Sequence, residues 1–445
     1  MIVLKFGGTS VGDAERIKSS VDIAVEQIDR APVLVSSAMS GITDALLTIA
    51  DSATSGDTHS VHTQLDIIRE RHNEAAEVLS TGRLLEETKQ RLSTLIDQLE
   101  SLARGLVLLR ECSARTLDTV ASLGELLSTT LIHAATSERH IDSALLDART
   151  FMRTDDQFGS AVPDMEATSE LTQSLVAPRK GTLLVTQGFI ASTATGVTTT
   201  LGRGGSDLTA TIIGSALGAE EVQIWTDVHG IMTCDPRIVP EATTIERLSY
   251  SEAAELAYFG AKVVHPSTIQ PAIDRSIPVL VKHSSYPDGA FTEIDANTEA
   301  TGLRAIAGKR SVTLINISSS RMLNAFGFLS QIFHTFDRYK TAVDLIATSE
   351  VSVSVTVDDP RALSDISNEL TSFATVSSEH HISIVSLVGQ DLWKDSGFVA
   401  AVFEAIRTIP IRMISLGSSD INLSIVVPEA SFTGALRLLH RRFFQ

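Results

Sequence analysis

A chain of 445 residues is long enough for two or three domains with full cores. Its 54 acidic against 36 basic residues leave a formal net charge of −18, and with no basic cluster this argues against nucleic acid or an anionic membrane as the main partner. Two distant cysteines, Cys112 and Cys234, offer neither a zinc site nor a disulfide framework, and no window approaches 18 apolar residues, so a soluble cytoplasmic protein is expected.

The chain opens MIVLKFGGTSVGD: an apolar run at Ile2–Leu4, then Lys5, then Gly7, Gly8, Thr9 and Ser10 ahead of a helical pattern. Strand, phosphate-sized glycine turn and helix together aim backbone N–H groups and a helix N-terminus at one anion. Ile17, Val21, Ala24, Val25 and Ile28 then form a helical stripe. Pro32–Val35 reads as a buried strand ending in SSAMSGITD. Ligands gather at the carboxyl ends of strands in open α/β sheets, which makes Ser37, Ala38 and Thr43 candidates for a substrate wall; ordinary loop capping is the other reading.

From about Ala45 to Ala135 the pattern is helical, with Leu92, Leu95, Ile96, Leu99, Leu102, Leu106 and Leu109 at steps of three and four. This predicts a helical subdomain inserted into the sheet. Within it LGELLSTT sets Glu125 among apolar residues, either as a solvated helix-face acid or as the partner of a substrate ammonium. Arg153–Gly159 reads as a loop, and Thr182–Val185 as a strand leading to the turn TLGRGGSDLTA at Thr200–Ala210.

In that turn Gly202, Gly204 and Gly205 allow positive φ and close backbone approach, and the helix predicted over Asp207–Leu217 points its N-terminus at the same place. Arg203 adds a cation, and Asp207 an anion able to orient a lysine. Neither glycine turn is a G-x-x-x-x-G-K-[ST] or a dinucleotide G-x-G-x-x-G loop. Two such turns in one domain suggest phosphoryl transfer on another fold.

Glu221–Trp225 is the next predicted strand, and its exit TDVHGIMTCDPRI places Asp227, Asp235 and Arg237 in a loop suited to ribose, a base edge or phosphate, or to a plain Asx-turn. Tyr250–Ala272 reads as a helix broken at Gly260, with Lys262 just beyond. Pro278–Lys282 is a strand, and Ser284–Ile294 a turn-rich end to the first domain. Farther on, Val312–Ile317, Ala342–Thr348, Val351–Val357 and Ala374–Ser377 read as strands around helical Phe326–Tyr339 and Arg361–Phe373, in the order βαββαβ. A shorter second copy from Ile382 lacks one strand. Leu303–Lys309 can supply it, in which case one unit is inserted into the other.

KFGGTSV (Lys5–Val11), TLGRGGSD (Thr200–Asp207), WTDVHGIMTCDPR (Trp225–Arg237) and FGAKVVHP (Phe259–Pro266), followed by two small αβ units, resemble the aspartate kinases over nearly the whole chain. The resemblance implies an α/β fold: an amino-acid-kinase, carbamate-kinase-like αβα sandwich over residues 1–295 with a helical insertion. Two ACT-type, ferredoxin-like regulatory units over 302–380 and 381–445 follow, with 302–309 a possible strand donor to the second. It implies phosphorylation of the β-carboxylate of L-aspartate by ATP with Mg²⁺, the entry to lysine, threonine and methionine biosynthesis, by a monofunctional enzyme. The insertion and RMLNAFGFLSQIF (Arg321–Phe333) further resemble the lysine-inhibited class, so L-lysine is the implied inhibitor, with a homodimer or tetramer through the ACT units.

Carried over motif by motif, the resemblance makes Lys5 and Asp207 catalytic. It lines the aspartate site with Ser37, Ala38, Thr43, Glu125 (on the ammonium), Arg203 (on the α-carboxylate), Gly204 and Ser206. It gives ATP to Lys5, Gly7, Gly8, Thr9, Ser10, Thr226, Asp227, Met232, Asp235, Arg237 and Lys262, and implies no protein metal ligand. Met232 departs from the tyrosine often found there. The implied effector site comprises Met322, Ala325, Gly327, Phe328, Leu329, Val343, Asp344, Ser349 and Glu350. Acetylglutamate, glutamate and uridylate kinases share the phosphate turns but lack the KFGGTS opening and the C-terminal pair. Intact Lys5 and Asp207 speak against a non-enzymic amino-acid sensor.

Overall fold

A computed structural model describes every residue except 178, 261–263, 297–300, 320, 321, 323–325, 418 and 419. It divides into two compact units, the first comprising Met1–Ile231, Glu246–Tyr250 and Val263–Asn297.

In the first unit β1 (Ile2–Phe6) leads to α1 (Ala14–Val25), and β2 (Pro32–Ser36) to four successive helices, α2 (Ile42–Ser55), α3 (Thr58–Leu79), α4 (Gly82–Leu109) and α5 (Ala114–Glu138). Then come β3 (Ser143–Leu146), β4 (Arg153–Thr154), α6 (Met165–Leu175), β5 (Leu183–Gln187), β6 (Ile190–Thr193), β7 (Thr198–Thr200), α7 (Gly205–Leu217) and β8 (Val222–Thr226). Next comes β9 (Arg247–Ser249); α8 (Tyr250–Tyr258) belongs, but for its first residue, to the second unit, and the first closes with α9 (Pro266–Ile273), β10 (Val279–His283) and β11 (Thr292–Asp295).

Eight strands form one sheet in the order β3-β5-β2-β1-β8-β10-β11-β9. β1 lies parallel between β2 and β8, and all five of its residues are buried, as a continuous apolar run in the middle of a parallel sheet requires. The α-helical insertion has no core of its own. Leu92, Ile96, Leu99 and Leu106 of α4 share one apolar cluster with Ile2, Leu4 and Phe6 of β1. α5 is buried on most of its faces, Asp118 and Glu125 included, so Glu125 is not a solvated helix-face acid.

Several short strands escaped the sequence reading, among them three that shape the edges of the sheets. Ser143–Leu146 is a partly exposed edge strand. Arg153–Thr154, expected as loop, joins β6 and β7 in a three-stranded sheet. Thr292–Asp295 closes the supposed turn region by pairing antiparallel with β10.

The second unit comprises Met232–Ile245, Ser251–Lys262 and Thr298–Gln445. Its elements are β12 (Gly302–Ser318), α10 (Phe328–Arg338), β13 (Ile346–Thr348), β14 (Ser352–Val357), α11 (Leu363–Thr371), β15 (Thr375–Gln390), α12 (Ser396–Ala405), β16 (Met413–Leu416), β17 (Asn422–Pro428) and α13 (Phe432–Phe444). They build one six-stranded sheet, β13-β14-β12-β15-β17-β16. β12 and β15 run through both repeats. Gly302–Lys309 pairs with Ile384–Gln390, whereas Leu314–Ser318 pairs with Thr375–Glu379, and the register shifts between the two stretches. Each half covers its own core, one around Ile315, Ile332 and Val353 and the other around Ile306, Val385 and Ile425.

Two stretches expected in the first domain, Met232–Ile245 and Ser251–Lys262, belong to this unit instead. Cys234, Val239 and Ala242 join the core formed by Ile306 and Leu436, and His440 Nε2 lies 3.1 Å from Thr233 Oγ1.

Candidate active site

The carboxyl ends of β1, β2 and β8, the start of α7 and one face of α5 enclose a cleft of about 530 Å³. Lys5, Gly7, Gly8, Thr9, Ser37, Ala38, Thr43, Glu125, Gly204, Ser206, Asp207, Thr226 and Asp227 all line it. The two glycine turns, far apart in sequence, therefore face one space.

Lys5 is the penultimate residue of β1, and its Nζ lies 2.6 Å from Asp207 Oδ1 in the first turn of α7. Both residues are about nine-tenths buried, so the ammonium is held by a partner that cannot be replaced cheaply by water. Gly204 takes the N-cap of α7 at φ 70°, where a side chain would be strained. The helix N-terminus thereby lines the cleft, with the Gly205 and Asp207 N–H groups taken by the Gly202 and Gly204 carbonyls at 3.0 and 2.9 Å.

Opposite, the chain after β2 curls against α5. A Cβ on Gly124 would lie 2.8 Å from the Ala38 Cβ, so glycine permits this approach. It brings Glu125 Oε1 within 3.1 Å of the Ala38 N–H, which donates to it. Oε2 is buried with no hydrogen-bond partner. Burial pushes the Glu125 carboxyl up to about 8, against the lowering effect of the Ala38 N–H. A buried acid with one unused oxygen is poised to take up a cation. Ser37 Oγ donates to Ser206 Oγ at 3.0 Å, joining the two walls.

Two expected residues are placed differently. Ser10 does not line the cleft; its buried hydroxyl bonds the Trp225 carbonyl at 3.2 Å and Ser284 Oγ at 2.9 Å, fastening the first turn to β8. Arg203 is exposed, and its side chain is not part of the cleft wall. The cleft also takes in Phe189, Met39, Ser40 and Asp44, which the sequence reading did not single out.

Met232, Asp235 and Arg237 belong to the second unit. There Arg237 clasps Asp235 through Nε and Nη2, holding its carboxyl below the usual range. Met232 bridges to Thr244. Lys262 and Ala325 lie outside the described residues.

Of the expected effector residues, Gly327 starts α10 at φ 84°, and Phe328 is buried beside the partly buried Met322 and Val343. Leu329, Ser349 and Glu350 are exposed. The Asp344 side chain is almost wholly buried. Its Oδ1 receives Lys309 Nζ at 2.8 Å and the Tyr258 hydroxyl at 2.8 Å, while Oδ2 has no hydrogen-bond partner.

Residues 1–283 match the amino acid kinase family, and residues 385–443 an ACT domain. The chain is 38% identical to lysine-sensitive aspartokinase 3 of Escherichia coli, covering all of this chain and 99% of that one. It is 37% identical to chloroplastic aspartokinase 1 of Arabidopsis thaliana, covering all of this chain and 80% of that one. Among solved structures it is similar to E. coli aspartokinase III in complex with aspartate and ADP, TM-score 0.87 at 38% identity. It is also similar to the same enzyme in complex with lysine and aspartate, TM-score 0.82 at 39% identity; each match covers both chains in full. No helix among the described residues is long and apolar enough to cross a membrane.

Proposed function

This chain belongs to the aspartokinases, within the amino acid kinase family, and on that footing we propose how its cleft moves the γ-phosphoryl group of ATP to the β-carboxylate of L-aspartate. The observation that carries the reading is the pairing of two unlike ends in one cleft: a buried Lys5–Asp207 ion pair between glycine turns, and a buried Glu125 with an unused oxygen.

The aspartate side chain, with a reference pKa of about 3.9, is already an anion at neutral pH, so the attack needs no general base. The barrier is electrostatic: a carboxylate must approach a triphosphate while negative charge spreads over the transferred group. Cations and aimed N–H groups therefore carry the catalysis. Lys5 neutralises the phosphates, Asp207 orients it, and the backbone of the two turns, at Gly8 and at Gly204 and Ser206, supplies N–H donors. Glu125 takes the substrate ammonium, with Ser37, Ala38, Thr43 and Ser206 lining the aspartate site. Arg203, being exposed, is free to rotate onto the α-carboxylate. Thr9, Thr226 and Asp227, which line the cleft, serve the nucleotide.

Magnesium enters with the substrate as MgATP. Such an ion is carried mainly by phosphate oxygens. ATP-dependent formation of aspartyl phosphate, trapped as the hydroxamate, is expected with aspartate and absent without it. Failure with aspartate under conditions that sustain an active relative would overturn the reading.

L-Lysine is the proposed inhibitor, acting at the second unit. Asp344 supports this as a buried acid with one oxygen still open to an ammonium. Asp344→Asn is expected to raise the lysine concentration for half inhibition at least about tenfold, roughly 1.4 kcal/mol, measured against that variant's own uninhibited rate. An unchanged value would move the effector elsewhere. A homodimer or tetramer through the ACT-type units is proposed with it. Exposed Ile346, Ile414 and Leu416 on the edge strands β13 and β16 support that assembly, and light scattering after size exclusion reads it directly.

A further inference from the structure

Asp118, two helical turns before Glu125 on α5, is only 2% exposed, and the substrate chemistry above makes no use of it. Its carboxylate receives the Gly159 N–H at 3.0 Å from each oxygen, the Thr200 N–H at 2.9 Å and the Thr200 hydroxyl at 2.8 Å. The Ala161 N–H completes the junction by donating to the Thr200 carbonyl at 2.9 Å. Thr200 ends β7 and opens the glycine turn that carries Arg203, Gly204, Ser206 and Asp207.

We infer that Asp118 is a positioning residue for aspartate: it sets the distance between the ammonium acceptor Glu125 and the turn that meets the substrate's other end. The reasoning is geometric. Both acids stand on one rigid helix, and Asp118 ties that helix to the first residue of the turn through two hydrogen bonds, one to backbone. Buried N–H groups that lose their acceptor must move to find another, and here the segment that moves is the aspartate wall. The nucleotide side is held differently. Gly7 donates to the Trp225 carbonyl, Thr226 ends β8 and Asp227 follows it; none of these bonds to Asp118. Loss of Asp118 therefore separates the two substrates, which a general loss of folding would not do.

The inference rests on the aspartate-site reading, and wild-type turnover tests that first. If wild-type protein does not phosphorylate aspartate, the reading fails; if it does, variants judge the inference alone. Asp118→Asn keeps shape but turns an amide N–H₂ toward donors that need an acceptor. In the full-length chain it is expected to raise KM for aspartate at least tenfold, to lower kcat by less than that, and to leave KM for ATP within twofold. KM for aspartate within twofold of wild type, or a parallel rise in both KM values, overturns it. Should Asp118→Asn not fold, Thr200→Val decides: it removes one of the four donations, and a rise of about threefold in KM for aspartate with KM for ATP unmoved supports the inference, while an unchanged KM overturns it.

Discussion

Lys5→Ala is expected to lower kcat by at least about 10²-fold, roughly 3 kcal/mol, the loss that follows removal of one preorganised charge-stabilising donor. Lys5 is the penultimate residue of a central strand of the sheet, its ammonium is fixed 2.6 Å from Asp207, and little water reaches either group. Removing the cation takes away the charge meant for the γ-phosphoryl group. It also leaves Asp207 as an uncompensated buried anion facing a triphosphate, and so adds repulsion where attraction is needed. Lys5→Arg is not a safe control, because a planar guanidinium does not fit a site shaped for a compact ammonium. Measurement of kcat by coupled ADP release, with a melting curve to exclude unfolding, tests this; a variant within threefold of wild type removes Lys5 from the chemistry.

The second large effect concerns Glu125. Glu125→Gln keeps the Ala38 N–H bonded to an oxygen but removes the charge. KM for aspartate should rise about 10- to 150-fold, the 1.5–3 kcal/mol typical of a hydrogen bond to a charged group. A pH dependence accompanies it. Burial holds the carboxyl protonated up to about 8, so at neutral pH an arriving ammonium must displace a proton. KM for aspartate should therefore fall as pH rises from 6 to 8, approaching tenfold per unit, and level off above. The same shift acts on stability. Between its ordinary 4.5 and about 8, the folded chain holds a proton that the unfolded chain releases, so this group's contribution weakens as pH rises through that window. Glu125→Gln should flatten both slopes. A wild-type KM independent of pH from 6 to 8 would show that no proton leaves this carboxyl.

Buried polar groups are where reading and structure diverged most usefully. Among apolar neighbours in LGELLSTT, Glu125 reads first as a solvated surface acid and only second as a ligand to an ammonium. Only the packing of Gly124 on Ala38 decides between them. Asp118 has no motif around it and drew no attention. Ser10, by contrast, sits in a motif yet uses its hydroxyl to hold the turn in place. A motif records which residues share a turn; the direction of each side chain depends on what packs against that turn.

The sequence by itself determined the local chemistry: two glycine turns, each between a strand and a helix, the lysine and acid set beside them, and two αβ repeats after the catalytic half. These follow from backbone freedom and side-chain period over a dozen residues or fewer. Only the tertiary structure decided that Glu125 meets the Ala38 N–H across 87 residues and that Asp118 holds Thr200 across 82. It alone decided that Gly302–Lys309 pairs with Ile384–Gln390, and that Thr233–Ala242 shares a core with α13. The physical reason is the same in each case. Desolvation and hydrogen bonding between distant segments depend on which surfaces meet, and that is a property of the folded chain.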